Sequence, residues 1–214
     1  MERRGGAAEL LRAQWDLLRG WLEDERVLDH AGAPSGLGAW TVSDLVVHLG
    51  FALRMVAEVT PSEREPLTLV EYVGGYAPAH DQIAADTHEV ADRHRGWELA
   101  GIDSLAAPAW AAIDAGLPDV VLGRRGPLRG EDFLLTRLLE LVTHGDDLHR
   151  CLLQHTGADR PTPLLPAAVD LVAAALAEGY EQVAGARPAW TGLELVRLAT
   201  GRTPSDDPHL PLLS

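Results

Sequence analysis

The chain has 214 residues, of which 46% are hydrophobic and 23% charged, so it is long enough to bury one sizeable core. Its formal net charge of −14 argues against nucleic acid and against an anionic membrane surface as partners. The only cysteine, Cys151, excludes an internal disulfide and any zinc motif built from several cysteines.

The first quarter of the chain has the apolar period of two α-helices. Residues 8–27 place their leucines and tryptophans on one side and their charges on the other, which predicts a helix. Residues 31–39 are rich in Gly and Pro and are expected to form a loop. Thr41 is a predicted N-cap, and Asp44 completes a pattern like a capping box. This second helix should run to about Val59, where a proline stops it.

The middle of the chain is less regular. Its predicted segments, in chain order, are a third helix over 67–94 loosened at Gly74-Gly75 and Pro78, a short helix over 104–115, an extended segment at 120–122 and a turn at 123–127.

The strongest helical pattern lies later in the chain, over residues 131–154. Acidic Glu131 and Asp132 fall in its first turn, where they suit the helix dipole. After three prolines, further helices are predicted over 165–183 and 191–200, the last closed by Gly201. Four long helices with short extra pieces predict an all-α fold, an antiparallel four-helix bundle.

Three residues form a candidate metal site. Glu140 and His144 are four apart in the strongest helix, so their side chains project from one face, roughly 6 Å apart. His48 lies in the second helix, and helical bundles build metal sites from side chains that face one another. Three protein ligands with an open fourth position are typical of catalytic zinc rather than structural zinc.

The same residues have ordinary explanations. A Glu and a His four apart often form a surface pair, and a histidine between Val47 and Leu49 is commonly a core residue. Against this, the apolar neighbours of Glu140 would bury its carboxylate, and a buried carboxylate needs a partner. Spacing alone therefore leaves both interpretations open.

Four further residues are candidates for supporting roles. Asp44 is one turn before His48 and is predicted either to hold its imidazole or only to cap the helix. Asp147 is expected to support a ligand or to pair with an arginine, and Arg137 to form an ion pair with Glu140 or to meet an anionic substrate. Trp40 is expected to line a substrate pocket or to act as a hydrophobic staple.

Two motifs carry a resemblance to a known family. The sequence resembles the N-terminal domain of the mycothiol-dependent maleylpyruvate isomerase family, within the DinB-like superfamily, over roughly residues 8 to 155. The first motif is Trp40-Thr41-x-x-Asp44-Leu45-x-x-His48-Leu49. The second is an Arg followed by a Glu-x-x-x-His step and Gly-x-Asp-Leu, at Arg137, Glu140, His144 and Gly145-Asp146-Asp147-Leu148.

The resemblance implies a fold and a cofactor. It implies a DinB-like, metal-binding four-helix bundle over residues 1–155, followed here by a helical C-terminal extension over 156–214 that packs on the bundle. It also implies a divalent metal, usually zinc, held by His48, Glu140 and His144. Family members use mycothiol, a low-molecular-weight thiol, as cosubstrate at the open metal position.

The C-terminal region departs from that family. Its longer members carry a C-terminal α/β domain of about a hundred residues, a length consistent with a separate domain, whereas about 60 residues follow Leu153 here. The stretch from Leu195 to Arg202 is similar to part of that domain. The substrate of this chain therefore need not be maleylpyruvate.

We expect an enzyme that activates a thiol such as mycothiol for isomerisation of a small electrophile or for transfer to it. The sequence names no separate general base. Two alternatives stay open, a non-catalytic DinB-like binding or stress protein, and a thiol-independent metal hydrolase. The N-terminus lacks a signal-peptide pattern and no apolar run approaches the roughly 18 residues of a membrane span, so the cytoplasm is the expected compartment. Every one of the 18 basic residues is arginine, which suggests a GC-rich, actinobacterial source.

Overall fold

The structure is a computed structural model that describes residues 3–213, with side chains described from residue 6 onward. It is mostly helical, as predicted. Its α-helices are α1 (Arg3–Asp24), α2 (Val42–Glu58), α3 (Leu69–Val73), α4 (His80–His94), α5 (Glu98–Ala115), α6 (Gly130–Thr156), α7 (Pro166–Ala184) and α8 (Gly192–Ala199). The predicted domain ends at residues 1 and 214 lie outside the described residues, and the division after residue 155 stays a prediction.

A small antiparallel sheet adds to the all-α prediction. Its strands are β1 (Thr60–Pro61), β2 (Val120–Gly123) and β3 (Gly126–Arg129), in the order β1-β2-β3. The predicted extended segment and turn form the hairpin β2–β3, in which Val121 pairs with Leu128. Both of these side chains are fully buried, so the hairpin closes one end of the core.

The start of α2 is fixed by the predicted capping box. The Thr41 hydroxyl accepts from the backbone N–H of Asp44, and the Asp44 carboxylate accepts from the backbone N–H of Thr41 at 2.8 Å. Two of the N–H groups that a helix start leaves unpaired are satisfied in this way. The helix ends at Glu58, because Val59 is extended and Pro61 lies in a strand.

The predicted third helix is divided into two. The chain leaves the helical path after Val73, passes a 3₁₀ turn at Ala77–Ala79 and resumes as α4. The interruption includes Gly74, Gly75 and Pro78, the positions at which the helix was expected to loosen. Glycine and proline disfavour a helix interior, so this division follows from the local sequence.

Helix α5 is longer than the prediction, which began it at residue 104. It starts at Glu98 and includes Gly101 and Pro108, two residue types that disfavour a helix interior. Its packing on α2 explains this extent: a Cβ added at Gly50 of α2 would lie 2.7 Å from the Cα of Ile102. The two helices therefore approach closely, and tertiary contact outweighs the intrinsic preference.

Helix α2 is the most enclosed element, since every residue from Val42 to Leu53 is buried. It contacts α4, α5 and α6, and α1 contacts both α5 and α6. The long helices α1, α2, α5 and α6 thus surround one core, into which Leu45, Leu138 and Leu141 point. Side chains on the inner faces of α2 and α6 therefore lie close to one another.

The C-terminal helices pack on the rest of the chain. Helix α7 contacts α1, α3 and α6, and α8 contacts α7. The fully buried amide of Gln14 in α1 donates to the carbonyl of Pro163 and accepts from the N–H of Leu165, which ties the preceding connection to α1. No helix between residues 3 and 213 is both long and apolar enough to cross a membrane.

Candidate metal centre

His48, Glu140 and His144 converge at the contact between α2 and α6. Oε2 of Glu140 lies 3.3 Å from Nε2 of His48 and 3.2 Å from Nε2 of His144. One ligand atom from each of the three residues lies within 4.8 Å of the other two. The helical step brings Glu140 and His144 onto one face, and the packing of α2 brings His48 opposite them.

The outer nitrogen of each imidazole already has a partner. Nδ1 of His144 donates to Oδ2 of Asp147 at 3.0 Å, and Nδ1 of His48 lies 3.1 Å from Oγ1 of Thr87. A neutral histidine that donates from Nδ1 presents a lone pair at Nε2. Each ring is therefore turned so that Nε2, the usual metal-binding atom in such an arrangement, faces Glu140.

The donor set fits a divalent cation. Two imidazole lone pairs and a carboxylate oxygen are all acceptors, and acceptors that converge in a buried place require a positive charge between them. Ligand atoms at about 2.0–2.1 Å from a tetrahedral zinc are about 3.3 Å apart. The two measured separations from Glu140, 3.2 and 3.3 Å, match that spacing. Nitrogen and carboxylate oxygen ligands are also those of catalytic zinc.

The surroundings shift the pKa of each group in a definite direction. Burial alone would raise the pKa of Glu140, but the hydrogen bonds with His144 and His48 and the Arg137 charge hold it well below the ordinary value. Burial lowers the pKa of His48, and the nearby charges of His144 and Arg137 act in the same direction. His144 is also buried, yet its bonds to Asp147 and Glu140 raise its pKa.

Asp147 supports His144, as one of the two predictions for it proposed, and it also pairs with an arginine. Its carboxylate is buried and accepts from Arg202 at 3.0 Å as well as from His144. Burial would raise its pKa, but His144 and Arg202 lower it. The arginine is Arg202, and Arg150, one turn along the same helix, lies 4.0 Å from Asp146.

The prediction that Asp44 holds the imidazole of His48 is wrong. As the third residue of α2, Asp44 curls back over the helix start, where Oδ2 accepts from the backbone and the hydroxyl of Thr41. Its other oxygen lies 3.6 Å from Nδ1 of His88. Nδ1 of His48 lies instead 3.1 Å from the hydroxyl of Thr87 on α4.

Arg137 is a buried cation one turn before Glu140. Its guanidinium donates to the hydroxyl of Thr136, to the carbonyl of Ala52 and, at 2.6 Å, to the hydroxyl of Tyr76. The same nitrogen that binds Tyr76 lies 4.0 Å from Oε1 of Glu140, so the predicted ion pair is present at the limit of contact. Burial would lower the pKa of Arg137, but the neighbouring tyrosines and Glu140 raise it.

Beside the three converging residues lies a cavity of about 790 Å³. Its walls are mainly apolar and aromatic, with Phe51, Met55 and Phe133 among them, and Tyr76 and Arg137 supply polar groups. The side chains of His48, Glu140 and His144 keep 8%, 14% and 10% of their surface exposed, and all three line this cavity. A small molecule in the cavity therefore has direct access to them.

Trp40 also lines the cavity, with its ring centroid 4.8 Å from that of His48 and 6.4 Å from that of His144. This places it beside the candidate ligands, while contact with a substrate stays a prediction. Cys151 is a buried thiol whose Sγ donates to the carbonyl of Pro34, away from the three converging residues.

The sequence did not reveal Thr87, Tyr76 or Arg202 as members of this site. Thr87 and Tyr76 lie in the divided third helix, which has no motif, and they reach the site only through packing. Arg202 ends the stretch from Leu195 to Arg202, which is similar to part of the C-terminal domain of longer family members. That similarity was the sequence signal that could have pointed to Arg202.

A family model described as the mycothiol maleylpyruvate isomerase N-terminal domain matches residues 11–149. The matched range includes His48, Glu140 and His144, and it ends before α7 and α8. Comparisons with curated proteins and with solved structures found no match.

Proposed function

This chain belongs to the family of mycothiol maleylpyruvate isomerase N-terminal domains, and from that premise we propose that it is a metal-dependent enzyme that joins a small thiol to an electrophile. The observation that carries the proposal is the convergence of His48, Glu140 and His144 at the wall of a cavity of about 790 Å³. A protein that held a metal only for its structure would have no need of that access.

We infer that α1, α2, α5 and α6 are the four helices of a DinB-like bundle, because these long helices contact one another around the core. In this arrangement His48 comes from the second helix of the bundle and the other two ligands from the fourth. Zinc is the proposed metal, since the two nitrogens and one carboxylate oxygen suit it.

A divalent metal with an open position lowers the pKa of a thiol that binds to it, so that the thiol ionises near neutral pH. The protein residues prepare for this chemistry. Thr87 and Asp147 hold the imidazoles of His48 and His144 with Nε2 inward. Glu140 stays ionised because its pKa lies well below the ordinary value. Mycothiol is the proposed thiol, and the cavity gives room for both reactants.

Tyr76 is the proposed partner of the electrophile. When a thiol sulfur forms a bond to the β-carbon of an unsaturated carbonyl compound, the electron pair of the double bond moves to the carbonyl oxygen. The Tyr76 hydroxyl lines the cavity and accepts from Arg137 at 2.6 Å, and in this proposal it donates its own proton to that oxygen. Rotation about the former double bond and loss of the thiol then complete an isomerisation, whereas protonation of the carbon completes a transfer.

The net charge of −14 argues against nucleic acid and against an anionic membrane surface as partners. The proposed partners are therefore a small thiol and a small electrophile. The aromatic side chains that line the cavity, Trp40 among them, suit a substrate with an apolar or unsaturated part.

Metal analysis and a thiol-dependence assay test the proposal together. We expect the purified protein to contain one divalent metal per chain, and His144→Ala to lose it while Cys151→Ala keeps it. With zinc and mycothiol present, conversion of maleylpyruvate or another unsaturated carbonyl compound should require the thiol. Hydrolytic activity without a thiol would select the hydrolase alternative, and wild-type protein without metal would refute the metal-dependent function.

A further inference from the structure

The end of α8 sets two arginine side chains next to each other. Gly201 has φ of +72°, in the left-handed region, and its N–H lies 3.2 Å from the carbonyl of Leu198. The N–H of Arg202 bonds to the carbonyl of Arg197 at 2.7 Å. These two bonds form a Schellman motif, which reverses the chain and places Arg202 beside the last turn of the helix.

The two arginines reach consecutive carboxylates on α6. Arg197 binds Asp146 through two nitrogens, at 2.8 and 2.6 Å. Arg202 binds Asp147 at 3.0 Å through one nitrogen, with two contacts of 3.3 Å through another. Each ion pair therefore joins the C-terminal segment to the helix that carries Glu140 and His144, and the Arg197 pair has the shorter contacts.

Only one of these carboxylates contacts a candidate metal ligand. Oδ2 of Asp147 accepts from Nδ1 of His144 at 3.0 Å and also from Arg202. The Asp147 side chain is 5% exposed, so few solvent molecules compete for it. Arg202 thus fixes the carboxylate, and the carboxylate fixes which nitrogen of His144 carries the proton and where the ring points.

We propose that Arg202 is a positioning residue for His144, so that the C-terminal segment beyond the family match at residue 149 completes the metal centre. The proposal rests on the proposed function in one respect, the use of His144 as a metal ligand. Arg197 also links the C-terminal segment to α6, but its partner Asp146 makes no hydrogen bond or ion pair with His144 among the described residues.

This difference provides a matched control. Arg202→Gln and Arg197→Gln each remove one arginine–aspartate pair between the C-terminal segment and α6. If these pairs only anchor the segment, the two variants should change the protein alike. If Arg202 positions His144, only its removal should change the ring of His144 and the metal affinity.

The first measurement is the zinc affinity of full-length protein, by competition with a chromophoric chelator in the absence of any thiol or substrate. We expect Arg202→Gln to lower the affinity about tenfold, a change of the size seen when outer partners of a ligand are removed. Arg197→Gln should stay within about twofold of wild type, while Arg202→Lys, which keeps the charge, should recover part of the loss. Equal losses in both glutamine variants, or none in Arg202→Gln, would overturn the proposal.

The second measurement needs no metal. Nitrogen-15 NMR of metal-free protein at about pH 9, where an imidazole is neutral, reports which nitrogen of His144 carries the proton. We expect the Nδ1–H form in wild type and in Arg197→Gln, and a mixture of both forms in Arg202→Gln. The same mixture in wild type and both variants would refute positioning by Arg202. Wild-type protein that binds no zinc but shows the expected NMR difference would refute the metal-dependent function and leave positioning supported.

Discussion

Asp147 and His144, one helical turn apart on α6, are joined by a hydrogen bond of 3.0 Å between Oδ2 and Nδ1. This bond turns Nε2 of His144 toward Glu140 and His48. The partner of the other imidazole comes from elsewhere, since Thr87 lies on α4. His144 is therefore oriented by a residue of its own helix, whereas His48 is oriented by a residue of a neighbouring helix.

Removal of the Thr87 hydroxyl should loosen His48. We expect Thr87→Val to lower zinc affinity about tenfold and the free energy of unfolding of metal-free protein by about 1 kcal/mol, because a buried hydrogen bond is lost. Chelator competition and urea unfolding measure the two effects.

Thr143→Val is the matched control for this substitution. Oγ1 of Thr143 is buried and has no hydrogen-bond partner among the described residues, although it lines the same cavity. Its removal should leave zinc affinity unchanged and leave stability unchanged or higher. An equal loss of affinity in both variants would show that the Thr87 bond has no special role.

Metal uptake should depend on pH with a definite sign. His144 has a raised pKa, so metal-free protein keeps this proton at a pH above the ordinary value of about 6.5. Glu140 and His48 have lowered pKa values and are already unprotonated there. Because a metal binds only the neutral imidazole, each zinc should displace one proton, from His144.

The apparent zinc affinity should therefore fall about tenfold for each pH unit below the raised pKa of His144. It should level off above that pKa. Calorimetry in buffers of different ionisation enthalpy counts the released proton directly. A zinc affinity that is independent of pH between about 6 and 7 would contradict the assignment.

Loss of the Tyr76 hydroxyl should slow the thiol reaction without affecting the metal. We expect Tyr76→Phe to lower kcat about 100-fold, because the donor aimed at the developing oxyanion is removed, while KM and zinc content change little. Burial raises the pKa of Tyr76, so its hydroxyl stays protonated as a donor throughout the assay range.

Tyr72→Phe is the control for the tyrosine prediction. Tyr72 lines the same cavity, with its ring centroid 6.4 Å from that of Tyr76. The two tyrosines differ in that the hydroxyl bonded to Arg137 is that of Tyr76. Steady-state kinetics with mycothiol and maleylpyruvate should show near wild-type turnover for this variant. Similar losses in both variants would assign the effect to cavity shape rather than to the hydrogen bond.

The left-handed turn at Gly201 should matter for both stability and metal binding. Gly201→Ala places a side chain at φ +72° and should lower the free energy of unfolding by about 1 kcal/mol. Gly185, which follows α7, is a control because it has the same left-handed backbone, with φ of +71°. A Cβ added there would have no atom within 4 Å, so the substitution tests the backbone conformation alone. Gly185→Ala should cost a similar stability, yet only Gly201→Ala should also weaken zinc binding, because only it displaces Arg202. Equal zinc affinity in the two variants would argue against that link.

Local sequence alone determined several features of this protein. The capping box at Thr41 and Asp44, the interruption near Pro78 and the Gly201 cap each depend on residues a few positions apart, and each lies where it was predicted. The Glu140–His144 step belongs to the same class, since helical periodicity alone places both side chains on one face.

Tertiary structure decided the rest. The length of α5 depends on the close approach of Ile102 to Gly50 on another helix, which local propensity does not contain. Asp44 bonds to the backbone at the start of its own helix, and the neighbour of Nδ1 of His48 is Thr87, which comes from α4. The contact of Arg202 with Asp147 spans 55 residues. The amino-acid sequence gives the spacing of side chains along one helix. The surroundings of His48 and His144 depend instead on how helices that are distant in the chain pack together.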